Sequence, residues 1–232
     1  MLAAASQGTF WDSYPQAVQS IAYFLLSGGF FMALIALCSV LGLAVIVWKA
    51  LALRRANILP EALTVVLETA DARYASGEAG ALASAARGSD SVLGRISRSA
   101  ISESFVSKEE AAESIQARAR EEVVHMEAGI AFLEVVITIA PLLGLLGTVK
   151  GLVGVFSALG ATGIAAGGDP AGIALGIAEA LNTTIAGLAV AVPVVIAHSY
   201  FTKKIERSAV RMEVLVGKVL SARFRPALEP AA

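Results

Sequence analysis

Three stretches of this 232-residue chain stay apolar for longer than any element of a water-soluble core requires. Between Asp12 and Lys49 no residue is charged, and the text from Ile21 to Trp48 is almost entirely apolar. From Glu134 to Asp169 the single charge is Lys150, and from Asp169 to Lys203 it is Glu179. A helix rises about 1.5 Å per residue and must cover roughly 30 Å of hydrocarbon, so about 20 apolar residues cross a bilayer. All three stretches reach that length. In lipid every backbone N–H and C=O must find its partner inside the segment, which an isolated span achieves only as a helix. The expected fold class is therefore all-α, an integral membrane protein with spans at 21–48, 134–159 and 171–202.

Composition supports the same class. Hydrophobic residues make up 56% of the chain and charged residues 16%, against roughly 45–50% and about 25% in soluble domains. The 18 Lys and Arg nearly cancel the 19 Asp and Glu, so no basic surplus points to nucleic acid. Cys38 is the single cysteine, and the two histidines, His125 and His198, stand far apart in the sequence. That excludes a disulfide scaffold and a sequence-local zinc site. We find no nucleophile placed beside a base, no metal set and no phosphate loop, so neither an enzyme nor a cofactor is expected.

Orientation follows from the basic residues. Ten Lys and Arg lie from Lys49 to Arg120 and seven from Lys203 to Arg225, whereas none lies in residues 1–27 or 151–202. Positive charge favours the cytoplasmic side, so the regions 49–133 and 203–232 are expected inside the cell. The tail 1–20 and the connection 160–170 then face outward. Residues 1–19 hold no Lys or Arg, which argues for a tail rather than a cleaved leader.

The inner region 49–133 reads as helices punctuated by Pro60, Gly77 and Gly88-Ser89-Asp90. Ser107 with Glu110 forms a capping box. From there the pattern predicts one continuous helix through the second span to about Leu159. The glycine-rich connection ends on Asp169-Pro170, an N-cap and a first-turn proline. Beyond the third span the helical pattern continues to a tail at Pro226–Ala232.

Two sets of residues inside the spans stand out. Gly144, Gly147, Gly151 and Gly154 recur every three or four positions, as do Gly172 and Gly176, and such small-residue seams let helix backbones approach closely in lipid. The second set is polar. Glu134, Thr138, Pro141, Leu145 and Thr148 share one helical face. Glu179, Asn182, Thr183 and Thr184 cluster on the third span, and a carboxylate there is costly enough to imply a function. The readings of Glu179 stay open: it serves an ion pathway, or it pairs with Lys150 at similar depth or sits protonated in a helix contact. At about 100° per residue Lys150 points roughly 200° away from Thr148.

The string APLLGLLGTVKGLVGVF followed by GIAEALNTTIAGLAVAVPVVI resembles the MotA/TolQ/ExbB proton channel family, and three spans resemble its ExbB/TolQ branch. The resemblance implies a homopentamer of an ion-driven motor in the bacterial inner membrane, with single-span ExbD/TolR-type subunits in its pore. Those subunits carry the proton-accepting aspartate. A TonB- or TolA-type transducer and lipids complete the expected partners. On this match Thr148, Glu179 and Thr184 correspond to the family's pore residues, and Pro141 and Pro193 to its helix-kinking prolines. Glu134, Thr138 and Thr183 join the candidate ion path from their positions alone. Lys150 departs from the family's usual bulky aromatic, and Asn182 and Thr183 add polarity where relatives are apolar. ExbB-like energising of outer-membrane import is the first functional expectation, with TolQ-like envelope maintenance and a passive scaffold as rivals.

Overall fold

The computed structural model describes residues 29–101, 105–162 and 170–225. The expected tail 1–20, the start of the first span, Gly163, Gly167, Gly168, Asp169 and the tail Pro226–Ala232 lie outside the described residues. Within them every regular element is an α-helix. The helices are α1 (Gly29–Ala52), α2 (Arg55–Ile58), α3 (Glu61–Glu68), α4 (Ala70–Ala75), α5 (Ala79–Arg87), α6 (Val92–Ile101), α7 (Lys108–Glu127), α8 (Ile130–Thr162) and α9 (Pro170–Arg223). Three stretches, in α1, in α7–α8 and in α9, are long and apolar enough to cross a membrane.

The chain divides into two compact units. The apolar unit comprises the described residues within Met1–Val45 and Phe132–Ile196. Its helices expose large side chains such as Phe30, Leu142, Phe156, Leu181 and Ile196, a surface that would aggregate in water and that lipid or neighbouring chains can cover. Inside it Met32, Ile35 and Ala186 form a buried cluster, with Leu143 and Val190 packed against them. The prolines interrupt neither helix, since α8 runs through Pro141 and α9 through Pro193. Each proline lacks an N–H, so the carbonyls of Ile137 and Ala189 lose their ordinary helical partner.

The polar unit spans Ile46–Ala131 and Ala197–Ala232. Its buried residues include Leu67, Leu82, Leu93, Ile96, Leu215 and Val219. Gly77 ends α4 at φ +76°, a left-handed backbone that favours glycine. Ser91 caps α6 by accepting the Gly94 N–H at 3.1 Å. Ser107 caps α7 as its sequence predicts, accepting the Glu110 N–H at 3.1 Å, while Glu110 reaches back to the Val106 N–H. Near its C-terminus α9 is tied down by Arg211 to Glu68 and by the Arg223 guanidinium, which donates to the Ala100 carbonyl.

One expectation fails here. The helix predicted to run unbroken from Ser107 to about Leu159 is two helices, parted at Ala128 and Gly129. Ala128 is extended (φ −50°, ψ 128°) and Gly129 sits at φ +84°. The physical reason is next to the break. A Cβ on residue 129 would stand 2.9 Å from Trp48 Cζ3, so glycine admits the indole there. The Lys49 ammonium, 2% exposed, donates to the Met126 carbonyl at 3.0 Å and lies 4.7 Å from the Trp48 ring centroid. A cation at the carboxyl end of α7 satisfies a carbonyl that has lost its helical donor and meets the favourable end of the helix dipole.

Candidate functional site

Helices α8 and α9 run antiparallel at close range because glycine faces backbone or small side chains at successive turns. A Cβ on Gly187 would lie 2.5 Å from the Ala140 carbonyl oxygen, and one on Gly144 would lie 2.8 Å from the Thr183 carbonyl oxygen. One on Gly147 would meet the Thr183 hydroxyl at 2.5 Å, one on Gly151 the Ala180 Cβ at 2.7 Å, and one on Gly176 the Val155 side chain at 2.6 Å. The seam therefore operates within a single chain. Gly154 has open space around it.

That close approach brings three hydroxyls onto two backbone carbonyls. Thr148 Oγ1 lies 2.9 Å from the Ala180 carbonyl oxygen on the facing helix and 3.2 Å from that of Gly144 on its own. Thr183 Oγ1 lies 2.7 Å from the Ala180 oxygen and 3.0 Å from the Gly144 oxygen. Thr184 Oγ1 lies 3.2 Å from the Gly144 oxygen and in direct contact with Thr148 Oγ1. Thr183 is buried, whereas Thr148 and Thr184 are half-buried. A membrane threonine usually bonds the carbonyl one turn back. Here Thr148 also reaches across to the facing helix.

The remaining candidates are distributed differently. Glu134 and Thr138 are exposed, and Thr138 donates to the Glu134 carbonyl at 3.1 Å in the ordinary one-turn manner. Neither reaches the threonine cluster among the described residues. Glu179 is half-buried, and with Lys150, Gly151, Ala180 and Thr183 it lines a cavity of about 400 Å³ in the apolar unit. Lys150 and Glu179 make no ion pair among the described residues. The Lys150 ammonium stands 5.7 Å from the Phe31 ring centroid.

A motif-bearing pair of antiparallel spans joined by hydroxyl-to-carbonyl bonds is a specific arrangement, and comparison with known proteins gives it a family. The model of the MotA/TolQ/ExbB proton channel family matches residues 88–214, which contain α8 and most of α9. The chain belongs to this family. A putative biopolymer transport protein ExbB homolog of Methanothermobacter thermautotrophicus is 42% identical over 94 residues, 40% of this chain and 32% of that protein. A putative ExbB-like protein of Synechocystis is 26% identical over 172 residues, 74% of this chain and 78% of that protein. The biopolymer transport protein ExbB of Helicobacter pylori is 36% identical over 96 residues, 41% of this chain and 56% of that protein. The chain thus spans about a third of the length of the Methanothermobacter relative. As a MotA/TolQ/ExbB protein with three helices able to span a bilayer, it is a multi-pass membrane protein.

Two features of this MotA/TolQ/ExbB chain escape sequence reasoning. Lys49 reads as an ordinary span flank, yet it is buried. Glu122 reads as one more acid on a polar helix, yet it is 5% exposed and accepts the Arg95 Nε at 2.6 Å in a bidentate pair. That pair holds the Glu122 carboxyl below the usual carboxylate range, chiefly through the Arg95 hydrogen bonds and against the cost of burial. The spacing of 27 positions that joins them leaves no local pattern to read.

Proposed function

We propose that this chain is an ExbB-like subunit of an inner-membrane motor, which with ExbD-type single-span partners uses the proton motive force to energise TonB-dependent outer-membrane transport. The observation that carries the reading is the contact between the Thr148 and Thr184 hydroxyls inside otherwise apolar spans. Hydroxyls there can hold water or hand on a proton, which a purely structural helix contact does not need. Family membership supports the same reading, as do relatives named for biopolymer transport. In this scheme five copies surround the partner helices. Glu179 lies beside the path, with Glu134 and Thr138 toward its inner mouth. The basic regions lie in the cytoplasm and the N-terminus outside it.

The test takes place in the native cell. The full chain is purified from its own membranes, its partners are identified by intact-complex mass spectrometry, and deletion strains are scored for active outer-membrane uptake. Five copies with a single-span partner bearing an intramembrane carboxylate, and loss of uptake on deletion, are expected. Normal uptake with leaky, poorly dividing cells would instead favour a TolQ-like role.

A further inference from the structure

The three threonines are unequal, and the inequality assigns a task to the buried one. In an α-helix the Gly144 carbonyl accepts the N–H of residue 148 and the Ala180 carbonyl that of residue 184. A carbonyl has two lone pairs. Each oxygen therefore keeps one for a hydroxyl, and three hydroxyl protons share two such places with the hydroxyl oxygens themselves.

When Thr183 occupies the Ala180 oxygen, at 2.7 Å its shorter contact, only the Gly144 oxygen is left for the other two. Thr184 can then donate to Thr148, which donates to Gly144 at 3.2 Å. Equally, Thr148 can donate to Thr184, which donates to Gly144 at 3.2 Å. The two directions of the pair end on the same acceptor at the same distance. Without the Thr183 hydroxyl the balance is lost, because Thr148 gains the Ala180 oxygen at 2.9 Å and the pair is held pointing from Thr184 to Thr148.

We propose that Thr183 is a positioning residue that keeps the Thr148–Thr184 pair reversible by occupying the Ala180 carbonyl. It rests on the proton-path reading of Thr148 and Thr184. A proton delivered by water to the donor hydroxyl's oxygen releases that hydroxyl's own proton to the second oxygen, whose proton turns from the Gly144 carbonyl to water beyond and leaves the pair. One proton enters and one leaves, and both O–H bonds are left reversed. They must turn back before the next passage, which near-equal directions make easy and a held direction makes slow. Asn182, the neighbouring polar side chain, makes no hydrogen bond among the described residues and takes no part.

The experiment uses the complex of the full chain with its partner, reconstituted in liposomes with an internal pH-sensitive dye, and compares Thr148→Val, Thr183→Ala and Thr183→Ser. Thr148→Val should abolish proton entry. Thr183→Ala should slow it by about five- to tenfold, the equilibrium worth of one neutral hydrogen bond. Thr183→Ser restores the donor and should stay within about twofold of wild type on the same scale. If the alanine variant assembles poorly, Thr183→Cys replaces it, since a thiol is a weak donor of similar size. Full conduction in Thr148→Val would overturn the proton-path reading itself. A block in Thr148→Val together with wild-type conduction in Thr183→Ala, or serine as slow as alanine, would overturn the role of Thr183 alone.

Discussion

The Lys49 ammonium donates to the Met126 carbonyl at 3.0 Å, fixing the polar end of α1 to the last turn of α7 beside the Gly129 break. Lys49→Met keeps the aliphatic stem and removes the donor. It should destabilise the protein by about 1–3 kcal/mol, the cost of a buried acceptor left unpaired. Gly129→Ala should cost at least as much, because it adds strain at φ +84° to a clash with Trp48. Gly217→Ala, which meets open space near the C-terminal end of α9, should be neutral or gain up to about 1 kcal/mol. Thermal unfolding in detergent measures all three.

The glycine contacts between α8 and α9 are graded, and stability should follow the grades. Gly147→Ala and Gly151→Ala each place a Cβ within 2.7 Å of α9 atoms and should destabilise by about 1–3 kcal/mol. Gly154→Ala meets nothing and should not. Because the contacts lie within one chain, loss of folded protomer should accompany any loss of oligomer. Unfolding curves read beside native mass spectrometry separate the two.

The spans were legible because a bilayer demands long apolar text and the chain supplies it in three places. The threonine positions were legible too, since Thr148 and Thr184 stand in recognisable motifs. What could not be read was which neighbours each polar group would meet. Glu134, Thr138 and Thr148 share a helical face by their spacing, yet of the three only Thr148 bonds across to α9, at Ala180 and Thr184. The break after α7 depends on an indole some 80 positions earlier in the chain, and no local pattern announces a contact at that range.

Acid should loosen the polar unit in a specific way. Glu122 has its carboxyl pKa lowered by Arg95 in the folded state, so the stabilisation is fully present above the ordinary carboxylate pKa of about 4.3. It is lost as pH falls through the lowered folded value. Glu122→Gln should remove that dependence and cost about 1–2 kcal/mol at neutral pH, a modest figure because the Arg95 side chain is 37% exposed. Unfolding followed from pH 7 to pH 3 in both proteins checks the sign. A wild-type protein that gains stability on acidification over this range would contradict it.

Lys150 and Glu179 line one cavity without pairing, and this separates two accounts of the acid. If Glu179 only neutralised Lys150, the double variant Glu179→Gln with Lys150→Met would recover whatever either single change lost. With the ammonium turned to Phe31 instead, we expect Glu179→Gln to reduce partner-dependent activity in cells and Lys150→Met to give no rescue. Recovery in the double variant would return Glu179 to a structural role.

If the Thr148 hydroxyl serves proton movement rather than helix packing alone, its loss should stop conduction without harming assembly. Thr148→Val keeps volume and branching but removes the hydroxyl, and proton entry into liposomes bearing the assembled complex is the most direct measurement of its effect. The variant complex should assemble normally with conduction lost, together with loss of partner-dependent work in cells. An assembled Thr148→Val complex that conducts protons at the wild-type rate would contradict that role and leave the α8–α9 contact as a scaffold.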